Sequence, residues 1–218
     1  MLTIDAGGIL FDLDGVLVDS TECVERTWRV WAQQRGLDAE KVVHYAHGRR
    51  TMETLAHVAP DLIAAEEMAA LAQREATEAR GVYPIAGAAA LLSQLPPAQW
   101  AIVTSGVRAV AAFRIGIGGL PTPRVVLAAE DVLRGKPDPE GYLRAAALLG
   151  IPSTECVVVE DAPAGLAAAR AAGMRAIGVS STFAAAALRD ADVIIASVGE
   201  LMVEIHGAIL RIGVPRGA

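Results

Sequence analysis

Short, unbroken apolar runs recur along the chain, and several end in acidic or turn residues. The first is Gly8-Ile9-Leu10-Phe11; Trp100-Ala101-Ile102-Val103, Arg124-Val125-Val126-Leu127 and Cys156-Val157-Val158-Val159 follow, then Ala176-Ile177-Gly178-Val179 and Asp192-Val193-Ile194-Ile195. Such runs are too short for buried helices. They lack the apolar–polar alternation of a half-exposed sheet, so they predict parallel strands covered on both faces. Helical stretches lie between most of them, at residues 139–149, at 164–172 with Gly173 as the stop, and at 200–210 after the last run. Strand alternating with helix predicts an α/β fold built on a doubly wound, Rossmann-like parallel sheet.

The interval between the first two runs breaks this alternation. Residues 22–35 place Val24, Trp28 and Trp31 at helical spacing and stop at Gly36; residues 62–79 read as a long Ala/Glu/Met helix, and Gly81-Val82-Tyr83-Pro84 closes the section. A strand-to-helix connection needs only a few residues. The excess therefore predicts an inserted all-helical unit over residues 20–82, joined by two short crossings to a core of residues 1–19 and 83–218. Trp28 and Trp31 should form the core of that insertion, since a helical apolar stripe packs inward. Gly116-Ile117-Gly118-Gly119 lacks the spacing and downstream acid of a dinucleotide site, which leaves it no cofactor role.

Composition narrows the class. Hydrophobic residues make up 53% of the 218 and charged residues 20%, which supports a buried core and excludes disorder. A formal net charge of -6 argues against a nucleic-acid partner, which selects for a basic face. The two cysteines, Cys23 and Cys156, sit far apart in apolar segments and read as reduced thiols. No run reaches membrane-spanning length, and the opening MLTIDAGG lacks a basic start and apolar stretch. A cytoplasmic protein with no membrane partner is expected.

Four clusters stand near strand ends. Phe11-Asp12-Leu13-Asp14-Gly15 carries a strand into two acids at i and i+2, so Asp12 and Asp14 share one side while Leu13 points elsewhere. Carboxylates that close repel, and a cation is needed to keep both ionised. Val157-Val158-Val159-Glu160-Asp161 ends another strand in paired acids, ahead of a helix near Pro163. Alone, that pair equally suits a helix N-terminus; beside Asp12 and Asp14 it completes the oxygen donors a hard divalent cation takes. Thr104-Ser105-Gly106 offers hydroxyl and backbone donors to a phosphate oxygen, or else an ordinary helix cap. Lys136 is locked between Gly135 and Pro137-Asp138-Pro139, a restraint that a solvent-facing lysine does not need, although read alone the segment suits a solvent-facing lysine equally. In the commonest doubly wound order the first strand is central, flanked by the second and fourth. Asp12, Thr104 and Asp161 then end neighbouring strands at the carboxyl edge, and Lys136 follows the third strand at the same edge.

These motifs together resemble the haloacid dehalogenase superfamily over nearly the whole chain, and the insertion resembles that family's small α-helical cap. Asp19-Ser20, His47-Gly48-Arg49-Arg50-Thr51, Lys136-Pro137-Asp138-Pro139-Glu140 and the run from Val157 to Gly165 are similar to one branch of it. That branch contains sugar and hexitol phosphatases, glycerol-phosphate phosphatases and 2-deoxyglucose-6-phosphate phosphatases. The resemblance implies a Mg²⁺-dependent phosphomonoester hydrolase acting on a small phosphorylated metabolite, a sugar or polyol phosphate, as a monomer or small homo-oligomer. It implies that Asp12 is the nucleophile that takes the phosphoryl group and that Asp14 is the acid and base. Mg²⁺ would be held by Asp12, the backbone carbonyl of Asp14, and Asp161, with Glu160 direct or through water. Thr104 or Ser105 at the Gly106 turn, with Lys136, would balance phosphoryl charge. His47, Arg49 and Arg50 form a basic turn between cap helices, either an ordinary solvated turn or one facing the active-site mouth, where Arg49 or Arg50 is expected to contact substrate. His44, His57 and His206 read as structural or exposed, His206 on a terminal helix. A β-phosphoglucomutase-like isomerase shares the core motifs, but such mutases carry a histidine where this chain has Val24. A phosphoglycolate-type phosphatase and a non-catalytic binding protein are the other readings.

Overall fold

The computed structural model describes residues 2–62 and 65–215. The chain opens with β1 (Leu2–Ala6) and β2 (Gly8–Phe11), then crosses outward at β3 (Val18–Asp19). Helices α1 (Thr21–Gln34), α2 (Ala39–Ala46), α3 (Thr51–Val58) and α4 (Ala65–Thr77) follow, and β4 (Tyr83–Pro84) brings the chain back. The return half runs α5 (Ala88–Gln94), β5 (Trp100–Val103), α6 (Arg108–Ile117), β6 (Val126–Leu127), α7 (Glu140–Leu149), β7 (Cys156–Glu160), α8 (Pro163–Ala171), β8 (Arg175–Val179) and β9 (Val193–Ile195). It ends in β10 (Met202–His206) and β11 (Ile209–Val214).

All six apolar runs are strands of one parallel sheet in the order β6-β5-β2-β7-β8-β9. Burial on both faces explains their unbroken hydrophobicity: Ile9, Phe11, Ile102, Val157 and Val159 pack on one side with α5 and α6 residues, while Leu10, Ala101, Val103 and Val158 pack on the other with α7 and α8. The central β2 pairs with β5 on one side and β7 on the other, which puts the ends of these three strands side by side. In the insertion, Trp28, Trp31, Val42, Val43, Leu55 and Leu71 form a separate core. Trp28 and Trp31 meet edge to face with centroids 5.5 Å apart. The two crossings are one antiparallel ribbon, with Val18 opposite Pro84 and Asp19 opposite Tyr83.

One expected helix is a hairpin. Residues 200–210 contain β10 and the start of β11, and β1-β11-β10 make a second, antiparallel sheet, so His206 lies on a strand. Apolar positions here fit both periods, but Leu210, Ile212 and Val214 are buried around an exposed Arg211, a period of two. Gly207, at φ 64°, supplies the left-handed residue that the tight turn requires. The long helix expected over 62–79 is α4, preceded by a single 3-10 turn at Pro60–Leu62. Residues 63 and 64 of that expectation, and Met1 and residues 216–218 of the expected core, lie outside the described residues.

Candidate active site

The carboxyl edge of the sheet gathers the chemistry. Asp12 follows β2 directly, its amide donating to the Val159 carbonyl at 3.0 Å, and the chain turns at Gly15 with φ 78°. A side chain at Gly15 would run into the Asp161 carboxylate, so the turn also makes room for that acid. Thr104 ends β5, Glu160 and Asp161 end β7, and the loop after β6 returns Lys136 to the same place. Asp12, Thr104, Lys136 and Asp161 are all buried, at 4–6% exposure. They sit at or under the floor of a cleft of about 620 Å³, open mouth included, whose far wall is the cap.

Lys136 ties the floor together. Its ammonium donates to Asp12 Oδ1 and, at 2.5 Å, to Glu160 Oε1, and lies 5.3 Å from the centre of the Tyr142 ring. Burial works against this charge, but Asp12 and Glu160 outweigh it and hold the lysine pKa well above its ordinary value. Burial pushes the Asp12 carboxyl up to about 7; Lys136 pulls it back, and Glu160 and Asp14 add to the rise. Asp161 is raised well above the carboxylate range by burial, then by repulsion from Glu160 and Asp12.

Glu160, grouped by sequence with the metal ligands, occupies a different position. Its Oε1 accepts from Lys136 and, at 3.2 Å, from the Tyr142 hydroxyl, and its Oε2 accepts from the Ala162 amide at 2.8 Å. Fully buried behind Lys136, it supports the lysine and is absent from the cleft lining. The Asp14 carboxylate is also engaged: Ser20 Oγ donates to Oδ1 at 2.6 Å and Arg114 Nη1 pairs with Oδ2 at 2.6 Å. Of the four carboxylates read from sequence, Asp12, Asp14 and Asp161 line the cleft and Glu160 does not. Among the described residues no group of three or more His, Cys, Asp or Glu side chains forms a metal cage. Two buried, mutually repelling carboxylates still match a Mg²⁺ site, since that ion uses one or two carboxylates and fills its sphere with water and substrate oxygens.

The cap wall brings His47, Arg49 and Thr51 to the cleft, with Val24 and Trp28. Burial lowers the His47 pKa while nearby Glu25 pulls it back up. Arg49 lies over the Tyr45 ring at 4.4 Å. Arg50 turns away from the mouth. Its guanidinium binds Glu53 and the carbonyls of Val132 (3.1 Å) and Leu133 (3.2 Å), while Glu53 accepts from the Gly135 amide at 3.0 Å, so this pair clasps the loop carrying Lys136. On the opposite side, Ser105 Oγ donates to the Gly48 carbonyl at 3.0 Å. The Gly106 amide donates to Thr104 Oγ1 at 3.0 Å, which shapes the turn read as a phosphate cradle. His44 and His57 are exposed, with His57 stacked on Tyr45.

Sequence reading passed over Glu75, Arg114 and Tyr142, and gave Ser20 a place in a motif but no role. Arg114 carried a signal: on α6 it shares a buried stripe with Val110 and Ala111, where a charge needs a partner. The partner, Glu75 on α4, accepts from Arg114 Nη2 at 2.6 Å.

The chain is similar to known proteins over most of its length. Residues 7–173 match the haloacid dehalogenase-like hydrolase family. The chain is 45% identical over 201 residues to hexitol phosphatase A of Escherichia coli (strain K12), a match covering 90% of this chain and 93% of that protein. It is 38% identical over 195 residues to glycerol-1-phosphate phosphohydrolase 1 of Saccharomyces cerevisiae, covering 84% and 78% respectively. Among solved structures, a HAD family hydrolase from Deinococcus radiodurans R1 with bound phosphate and sodium superposes with a TM-score of 0.65 at 30% identity, over 89% of this chain and 93% of that one.

Proposed function

The chain belongs to the haloacid dehalogenase-like hydrolase family, and from that premise we propose that it hydrolyses phosphomonoesters of small sugars and polyols through a phosphorylated Asp12. The observation that carries the proposal is Asp12 itself, a buried carboxylate clasped by Lys136 at the floor of a polar cleft.

Phosphate monoesters hydrolyse extremely slowly unaided, so the negative charges of ester and nucleophile must both be offset. Lys136 holds Asp12 Oδ1 and leaves Oδ2 to attack phosphorus. The new P–O bond forms as the ester P–O bond breaks, and the departing alkoxide takes a proton from Asp14. Water then attacks the aspartyl phosphate while Asp14 accepts its proton, releasing inorganic phosphate and restoring Asp12. Lys136 and the Thr104-Ser105-Gly106 turn face the phosphoryl oxygens. Asp12, Asp161 and the Asp14 carbonyl would hold Mg²⁺, which when bound supplies positive charge to those oxygens.

Substrate choice falls to the cap wall. His47, Arg49, Thr51 and Glu75 present donors and acceptors suited to hydroxyl groups, and Trp28 covers carbon. Val24 lines the same cleft with methyl groups, at the position where mutases of this fold carry an imidazole, which favours hydrolysis over isomerisation. Cys23 and Cys156 are free and buried, which supports a cytoplasmic setting. Among the described residues no helix is long and apolar enough to cross a membrane.

A panel of sugar and polyol phosphates with Mg²⁺ tests the proposal through phosphate release. Hydrolysis by the native chain and none by Asp12→Asn is expected. Inertness toward every ester, or turnover by Asp12→Asn, removes it.

A further inference from the structure

Arg114 is only 2% exposed, and burying a guanidinium is costly unless its charge is met. Two carboxylates meet it, from two parts of the molecule. Nη1 reaches Asp14 on the core loop and Nη2 reaches Glu75 on cap helix α4, each at 2.6 Å. Among the described residues its Nε has no hydrogen-bond partner. Leaving a buried donor unpaired is costly, so the guanidinium is seated for its two carboxylates and not to satisfy its own donors. Asp14 in turn has both oxygens held, Oδ1 by Ser20 and Oδ2 by Arg114. A carboxyl held at both oxygens is fixed in rotation, and that fixes the point from which a proton reaches the leaving oxygen.

We propose that Arg114 is a positioning residue for Asp14 and that Glu75 makes this hold depend on the cap. The inference rests on the phosphatase reading above and adds a residue to it. The planar fork of arginine spans two carboxylates at once, whereas the compact ammonium of lysine occupies one point.

The test separates proton delivery from binding and from folding. Glycerol phosphate expels an alkoxide that needs a proton, whereas p-nitrophenyl phosphate expels a nitrophenolate that needs none. First-turnover release of each alcohol is measured for the native enzyme, Arg114→Gln, Arg114→Lys and Glu75→Gln, with KM and Tm alongside. Arg114→Gln is expected to slow glycerol release roughly 10²-fold, with nitrophenolate release and KM within about threefold of native. Arg114→Lys and Glu75→Gln should show the same selectivity at roughly tenfold, and they decide the matter should Arg114→Gln fail to fold. Equal slowing of both esters, or a loss confined to KM, overturns the assignment and leaves Arg114 as packing or as a substrate contact. Should the native enzyme spare glycerol phosphate, the ester of the sugar and polyol panel it turns over fastest takes that place; release from none of the panel overturns the phosphatase reading itself, and this inference with it.

Discussion

Lys136 stands between two carboxylates that cannot both remain buried without it. Lys136→Ala strands Asp12 and Glu160 together, and removing one partner of a buried pair destabilises by about 3–5 kcal/mol. The expected outcome is a lowered Tm in thermal melts and a kcat reduced by roughly 10²–10³ in phosphate-release assays. Tyr142→Phe is milder: it removes the hydroxyl that donates to Glu160 Oε1 at 3.2 Å, and a net loss of about 1 kcal/mol is expected by denaturant titration. Asp12, Thr104, Lys136 and Asp161 were legible in the sequence because each sits at or near a strand end whose place the sheet order dictates. Glu160, Arg50 and Arg114 were not. Each takes its orientation from a partner many residues away, at Lys136, Val132 and Glu75 respectively, and no local pattern encodes which way a side chain turns.

Elements show the same division. The six strands announced themselves because burial on both faces leaves no polar positions. The β10–β11 hairpin did not, because its outer face is wet and its apolar residues fall on positions that a helix could also use. Helix α8 offers a sharper test of element against site. Alanine outranks glycine in a helix by about 1 kcal/mol, so Gly165→Ala should stabilise α8 on propensity alone. A Cβ there, however, would land on the Glu160 carboxylate. Gly165→Ala is therefore expected to lower kcat and Tm together, although it alters no residue of the cleft; a raised Tm with unchanged turnover would show that Glu160 can move aside.

At the scale of the whole molecule, cap and core are joined at the proposed site: Glu75 through Arg114 to Asp14, Gly48 to Ser105, and Arg50 with Glu53 to the Lys136 loop. The buried acids also set how stability follows pH. Asp12 and Asp161 are raised in the folded state, so the native chain keeps protons that the unfolded chain has released. That stabilisation is complete below about 3.8 and is lost as pH rises, for Asp12 by about 7. The Tm of metal-free protein should accordingly fall between about pH 4 and about pH 7, and millimolar Mg²⁺ should restore more of it at the higher pH, where the ligands are ionised. Calorimetry with and without Mg²⁺ checks this; a flat profile in both would mean that these acids do not share a cation.

The ribbon of Val18–Asp19 beside Tyr83–Pro84 has a further consequence. A stretch of chain whose two ends lie in adjacent strands behaves as a cassette: its contents can be lengthened, shortened or exchanged while the framework beneath keeps its spacing. Evolution on such a scaffold can change diet without relearning how to break the bond.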